Sequence, residues 1–205
     1  MTAKVDGSGL EATMASASTS RSAGEAQLRR WRAAAKVTAP VTLGVAFGVN
    51  KAYDRLLINA RGGGRIFDGG VGTGEFSKPV VGAATPFVGE WLCQSGSFSG
   101  ARCNIVVKAK NVNINTDLGY VNYGTVKAEQ VDHQNAVAKG DSGGPMFALN
   151  WPNANQVIAK GTNTAIDLGA QTACTGVATV CAWRTYFTDI TTSLAGYPGA
   201  SIVTR

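Results

Sequence analysis

Gly140-Asp141-Ser142-Gly143-Gly144-Pro145, running into Met146-Phe147-Ala148-Leu149, is the stretch that decides the reading of this chain. Glycines around a single hydroxyl describe a strained turn that presents Ser142. Without a Cβ at positions 140 and 143, backbone N–H groups approach a substrate oxygen unobstructed. Such donors stabilise the oxyanion of a tetrahedral intermediate. Ser142 is then the candidate nucleophile, and Asp141 a structural partner rather than a base. The apolar run after Pro145 reads as a buried strand that anchors the turn.

Composition agrees with a strand-and-turn protein. The chain has 205 residues, 44% hydrophobic and only 16% charged, with 26 Gly. Its length suits one ordinary domain or two small barrels sharing a core. No apolar run reaches the roughly 18–20 residues of a membrane-spanning helix, so no membrane partner is expected. The net charge is +6, but the 19 Lys and Arg are spread along the chain. Their densest group, Arg29, Arg30, Arg32 and Lys36, carries no base-stacking motif, so no nucleic-acid partner is expected. Four cysteines, Cys93, Cys103, Cys174 and Cys181, suit two disulfides in any of three pairings. A zinc site is disfavoured, because no C-x-x-C occurs and the chain has one His. No metal and no cofactor are expected. Disulfides imply an oxidising compartment, hence a secreted protein. Residues Met1 to Ser20 nevertheless contain no apolar core of a signal peptide.

Residues 1 to about 21, rich in Ala, Ser, Thr and Gly, read as disordered. Ser22-Ala23-Gly24-Glu25 is a capping box, and Leu28, Trp31 and Ala35 follow at helical spacing. The pattern predicts a helix from about Ala23 to Lys36, stopped before Pro40. Beyond Val37 the chain reads as strands. Val37 to Asn50 supplies two at most. Ile105 to Val112, Tyr120 to Val131 and Asn155 to Ala165 are further candidates. Tyr186, Phe187, Ile190 and Leu194 return to helical spacing before Gly196 and Pro198.

The six residues Gly140–Pro145 with their following strand resemble the nucleophile loop of chymotrypsin-like serine proteases. The run Cys93-Gln94-Ser95-Gly96-Ser97-Phe98-Ser99-Gly100-Ala101-Arg102-Cys103 resembles the small disulfide loop of the bacterial streptogrisin and α-lytic branch. Lys160-Gly161-Thr162-Asn163-Thr164 is similar to the strand that pairs with substrate backbone beside the specificity pocket. Together the resemblance covers roughly residues 51–205, about three quarters of the chain. It implies an all-β fold of two antiparallel barrels with a short C-terminal helix and a cleft between the barrels. It implies a serine-type endopeptidase acting on a peptide or protein substrate through an acyl-enzyme at Ser142. The backbone N–H groups of Gly140 and Ser142 would form the oxyanion hole. Asp54, before the apolar strand Leu56-Leu57-Ile58, matches the acid of the triad. Ala136, Gly161, Thr162, Asn163 and Thr164 would line the specificity pocket, with Ala136 as an apolar floor. Cys93–Cys103 would close one loop, and Cys174–Cys181 would brace another in place of a Cys the family often carries where Ala138 stands.

One element of the pattern is missing. The family carries its base as T-A-x-H-C upstream of the acid, and residues 1–53 contain no His. The only His, His133, lies nine residues before Ser142, on the wrong barrel to serve. Lys139 adjoins Gly140 without evident burial, which makes it a poor candidate for the base. A serine without a base stays protonated and weakly nucleophilic. The expected organisation is therefore residues 1–36 as a tail plus a helix outside the family pattern, 37–84 as an incomplete first barrel, and 85–205 as the second. Three readings follow. One is a protease whose N-terminal part is truncated or misread, and which is poorly active. Another is a His-less secreted homologue that binds peptides without cutting them. The third is an unrelated β-domain. Nothing in the sequence encodes an oligomeric state.

Overall fold

The structure is a computed structural model that describes residues 45–60, 62–73 and 76–205, together with the backbone of two N-terminal strands. Those strands are β1 (Thr2–Val5) and β2 (Leu10–Ala15). Then follow β3 (Val45–Asn50), β4 (Arg55–Asn59), β5 (Arg65–Phe67) and β6 (Ser77–Ala83). The central strands are β7 (Trp91–Gly96), β8 (Gly100–Asn115), β9 (Val121–Gln130), β10 (Val137–Ala138), β11 (Pro145–Asn150) and β12 (Asn153–Ile166). The chain closes with β13 (Gln171–Thr172), β14 (Cys181–Ala182), β15 (Arg184–Asp189), helix α1 (Ile190–Ala195) and β16 (Ala200–Ile202).

Six strands, in the order β11-β7-β8-β9-β15-β12, form an antiparallel barrel that a β11–β12 pairing closes. Closure leaves no open edge among them. Leu92, Ile105, Val107, Val126, Ala128, Met146 and Phe187 form one buried cluster. These residues recur at alternate positions along their strands, as a one-sided core requires. The long β8 bends where Asn104 and Asn111 adopt positive φ (60° and 57°), which Asn tolerates better than most residues. A second sheet, β16-β1-β2-β4-β3, does not close among the described residues. Leu57 of β4 shares a buried cluster with Phe147, Val157, Ala159 and Ile190, so the two halves meet through a continuous apolar contact.

Several expectations hold. The strands at 105–112, 120–131 and 155–165 lie within or largely overlap β8, β9 and β12. Both disulfides are the local ones, Cys93–Cys103 and Cys174–Cys181. Others change. The stretch read as disordered holds β1 and β2, because the partners that satisfy their backbones lie far away: Ala12 pairs with Asn59 and Ala3 with Ile202. The C-terminal strand β16 returns to that same sheet rather than to the barrel. The C-terminal helix is shorter than its spacing suggested. Tyr186 and Phe187 belong to β15, and Asp189 caps α1 by accepting the Thr191 N–H at 2.8 Å. The helix expected over 23–36 and any strand over 37–44 lie outside the described residues.

On the outer face of β9 and β15, Arg184 donates to Glu129 (2.8 Å) and Asp167 (3.0 Å), while Lys127 approaches Glu129 at 3.3 Å. Burial alone raises the pKa of both carboxyls. Hydrogen bonds and charge from Arg184, and from Lys127 at Glu129, more than reverse it, so both lie below the usual range. A depressed folded pKa stabilises above the unfolded carboxylate pKa and stops doing so as pH falls through the folded value. Arg184→Met is therefore expected to cost about 1 kcal/mol at neutral pH. The cost shrinks at pH below the carboxylate range. Urea unfolding at the two pH values measures both, and an equal cost at each would refute the assignment.

Candidate active site

The loop before β11 is built around one buried carboxylate. Asp141 is 1% exposed. Its Oδ1 accepts the N–H groups of Phe98 (2.9 Å) and Ser99 (3.1 Å), and its Oδ2 that of Ala138 (2.9 Å). Gly96 is the residue that lets this carboxylate in, since a Cβ there would fall 2.0 Å from Asp141 Cγ. Further bonds fold the loop back. The Asp141 N–H reaches Ala138 O (3.0 Å), the Gly144 N–H reaches Asp141 O (2.9 Å), and the Gly143 N–H reaches Asn163 O on β12 (2.7 Å). The N–H groups of Gly140 and Ser142 make no hydrogen bond among the described residues. Gly140 has φ +103°, and a Cβ there would meet the Phe98 ring at 2.5 Å. Its carbonyl accepts the Ser97 hydroxyl at 2.8 Å. Ser142 itself is half-buried.

Asp54 lies at the mouth of β4, fully buried, with φ 45° at the end of a one-turn 3-10 helix over Lys51–Tyr53. That turn is fastened to the barrel. Asn122 Nδ2 donates to Lys51 O at 2.7 Å, and Thr188 Oγ1 donates to Tyr53 O at 3.2 Å. Thr188 in turn shares a hydrogen bond with Thr164 at 3.0 Å. Burial, then the negative charges of Asp54 and Asp117, push the Tyr120 phenol above its ordinary pKa. Adjacent residues of β12 thus serve both candidate groups. Asn163 holds the Ser142 loop through its backbone, and Thr164 reaches, through Thr188, the carbonyl just before Asp54. Asn122 and Thr188 were invisible to motif reading, because each is one polar residue in an alternating strand.

The expected pocket residues divide. Thr162, Asn163 and Thr164 are buried on β12, with the Asn163 amide donating to Gln94 Oε1 at 3.0 Å. Gly161 lies against the Phe187 ring. Ala136, expected on a pocket floor, packs in the barrel core beside Leu92 and Met146. His133 is exposed, and its ring stacks on Trp183 at 4.0 Å between centroids. Lys139 is exposed too. Among the described residues no three His, Cys, Asp or Glu side chains are grouped to hold a metal, and no helix is long and apolar enough to cross a membrane.

No family model matches the sequence, and no curated protein matches it. Solved structures do. A glutamic-acid-specific serine protease, described as using a histidine triad in substrate binding, is 20% identical with a TM-score of 0.64, over 97% of this chain and 90% of that one. A Nocardiopsis protease is 15% identical with a TM-score of 0.61, over 99% and 90%. The chymotrypsin of Cellulomonas bogoriensis is 18% identical with a TM-score of 0.60, over 100% and 96%. At such identities the likeness is one of architecture: the chain has the chymotrypsin-like double-barrel fold of these bacterial serine proteases.

Proposed function

We propose that this protein carries a serine-endopeptidase-type site which engages peptide substrates and turns them over slowly. In this reading Ser142 is the nucleophile, attacking the scissile carbonyl to form an acyl-enzyme. The observation that carries it is the pattern of N–H use in the loop. Those of Asp141, Gly143 and Gly144 are spent internally, whereas those of Gly140 and Ser142 remain for an oxyanion. Asp54 takes the part of the buried acid, and Gly161 to Thr164 form the strand beside the bound peptide. The protease-like unit takes in β1 and β2 as well as residues 45–205, since these strands share a sheet with β4. Two disulfides and the secreted character of such proteases support an extracellular location.

Slow turnover follows from the missing base. An oxyanion hole and binding alone retain roughly 10³–10⁴-fold acceleration over water in triad-deficient serine proteases. The test is hydrolysis of a panel of peptide nitroanilides by the wild-type chain and by Ser142→Ala. We expect a weak rate that Ser142→Ala removes. A rate of ordinary protease size would refute the missing base, and a weak rate that survives Ser142→Ala would refute the nucleophile. A second reading, a peptide-binding module without turnover, is favoured by the place of His133, exposed and stacked on Trp183. Peptide binding with no Ser142-dependent hydrolysis would select it.

A further inference from the structure

We propose that a cleft behind the nucleophile loop binds a small carboxylate, with Arg102 as its anchor. The cleft, about 210 Å³, opens between the start of β8, the end of β9 and the loop at Thr175. Drug-sized pockets run to roughly 300–1,000 Å³, so this one fits a single small group. Arg102, Asn104, Gln130, Gln134, Asn135 and Thr175 line it.

Arg102 is half-buried, and its Nε donates to Ser99 O at 3.2 Å. That bond orients the guanidinium and leaves its two terminal nitrogens for a ligand. Among the described residues no carboxylate lies within ion-pair distance of Arg102, as is also true of Arg55 and Arg65, whereas Lys78, Lys127, Lys160 and Arg184 each have one. A partly desolvated cation without a counter-charge favours an anion, and the planar fork of Arg matches a carboxylate in bidentate fashion.

Of the remaining walls, Thr175 supplies a donor, whereas Asn135 Oδ1 is a buried acceptor with no partner among the described residues. Asn135 is 3% exposed, and its Nδ2 donates to Thr175 Oγ1 at 2.7 Å. The Thr175 oxygen therefore accepts, which frees its own proton to donate outward. Gln130 Oε1 accepts the N–H groups of Asp132 and Gln134, both at 2.8 Å. Its Nε2 faces the Asp132 carboxylate at 3.5 Å. That nearby negative charge, on an exposed side chain, favours a monoanion over a phosphate or sulfate dianion. Asn135 Nδ2 also donates to Ser99 Oγ (3.1 Å), and the Ser99 N–H reaches Asp141. The wall of the cleft is thus two hydrogen bonds from the residue preceding Ser142. The site stands on Arg102 and its surroundings, and not on the hydrolytic reading.

The test is an NMR titration of the whole chain with three probes: acetate, acetyl-Ala-Glu-Ala-amide and acetyl-Ala-Gln-Ala-amide. The expected result is millimolar binding of the Glu peptide, at least tenfold weaker binding of the Gln peptide, and shifts centred on Arg102 and Thr175. Acetate binding as well as the Glu peptide identifies a free-anion site. Binding of the Glu peptide without acetate identifies a peptide side-chain site, and either supports the proposal. Arg102→Gln should weaken the Glu peptide about tenfold. Thr175→Val, which keeps the volume, should weaken it about threefold. Equal affinity for the Glu and Gln peptides, no binding of any probe, or full affinity in a folded Arg102→Gln or Thr175→Val protein would overturn the proposal.

Discussion

Asp141→Ala is expected to cost about 3–5 kcal/mol of folding stability, a large share of the roughly 5–15 kcal/mol of an ordinary domain. The substitution strands the N–H groups of Phe98, Ser99 and Ala138, all of which point at one carboxylate. Each buried donor left without a partner costs about 1–3 kcal/mol. Relief from burying a charge offsets part of the sum, which is why the expectation sits in the lower part of the range that the three donors give. Asp141→Asn should fall between, because an amide keeps one acceptor and turns a donor toward donors. Urea unfolding followed by tryptophan fluorescence measures both variants. A loss under about 1 kcal/mol for Asp141→Ala would show that the loop repacks without its carboxylate.

Lys160→Met is the second large effect. Lys160 on β12 and Glu90 just before β7 form an ion pair at 2.6 Å, with side chains 6% and 10% exposed. Glu90 also accepts the Phe87 N–H at 3.3 Å. Removing one member of such a pair leaves an uncompensated buried charge, at a cost of about 3–5 kcal/mol. Replacing both is different. Lys160→Met with Glu90→Leu deletes two desolvation penalties at once and should recover most of the loss. The double variant still orphans the Phe87 N–H, so recovery stays incomplete by about 1 kcal/mol. Denaturation midpoints of the wild type, both single variants and the double variant close the cycle. Additive losses would mean that the two groups do not interact in solution.

The parts of the fold that could be read in advance are those written locally. Strand alternation marks β8 and β9, and Gly140–Pro145 announces its loop, while the disulfide pairing comes from the family resemblance and not from spacing, which leaves three pairings open. What escaped is written at a distance. Leu10–Ala15 looks like a small-residue tail until Asn59 is set opposite Ala12. Tyr186 and Phe187 satisfy a helical spacing, yet their backbones pair with Lys127 and Val126 of β9. The candidate site divides in the same way. Ser142, Gly140 and Asp54 stand out by type and neighbours. Asn122 and Thr188, which fasten the Asp54 turn to the barrel, gain their meaning only from partners more than 70 residues away in sequence.

The pairing of β1 with β16 has a consequence for assembly. Ala3 lies opposite Ile202, so this ladder joins segments almost 200 residues apart. Loop closure over such a span adds entropy cost only slowly with length, but it delays the contact until the intervening chain exists. During synthesis β1 therefore waits with one edge open while the barrel strands emerge. An open strand edge is a template for pairing with another chain. The six-stranded barrel, whose pairings all fall between residues 91 and 189, can close before that wait ends. Ile202→Pro, which breaks the β1–β16 ladder, should then send more refolding chains into aggregates while the barrel's own pairings stay intact.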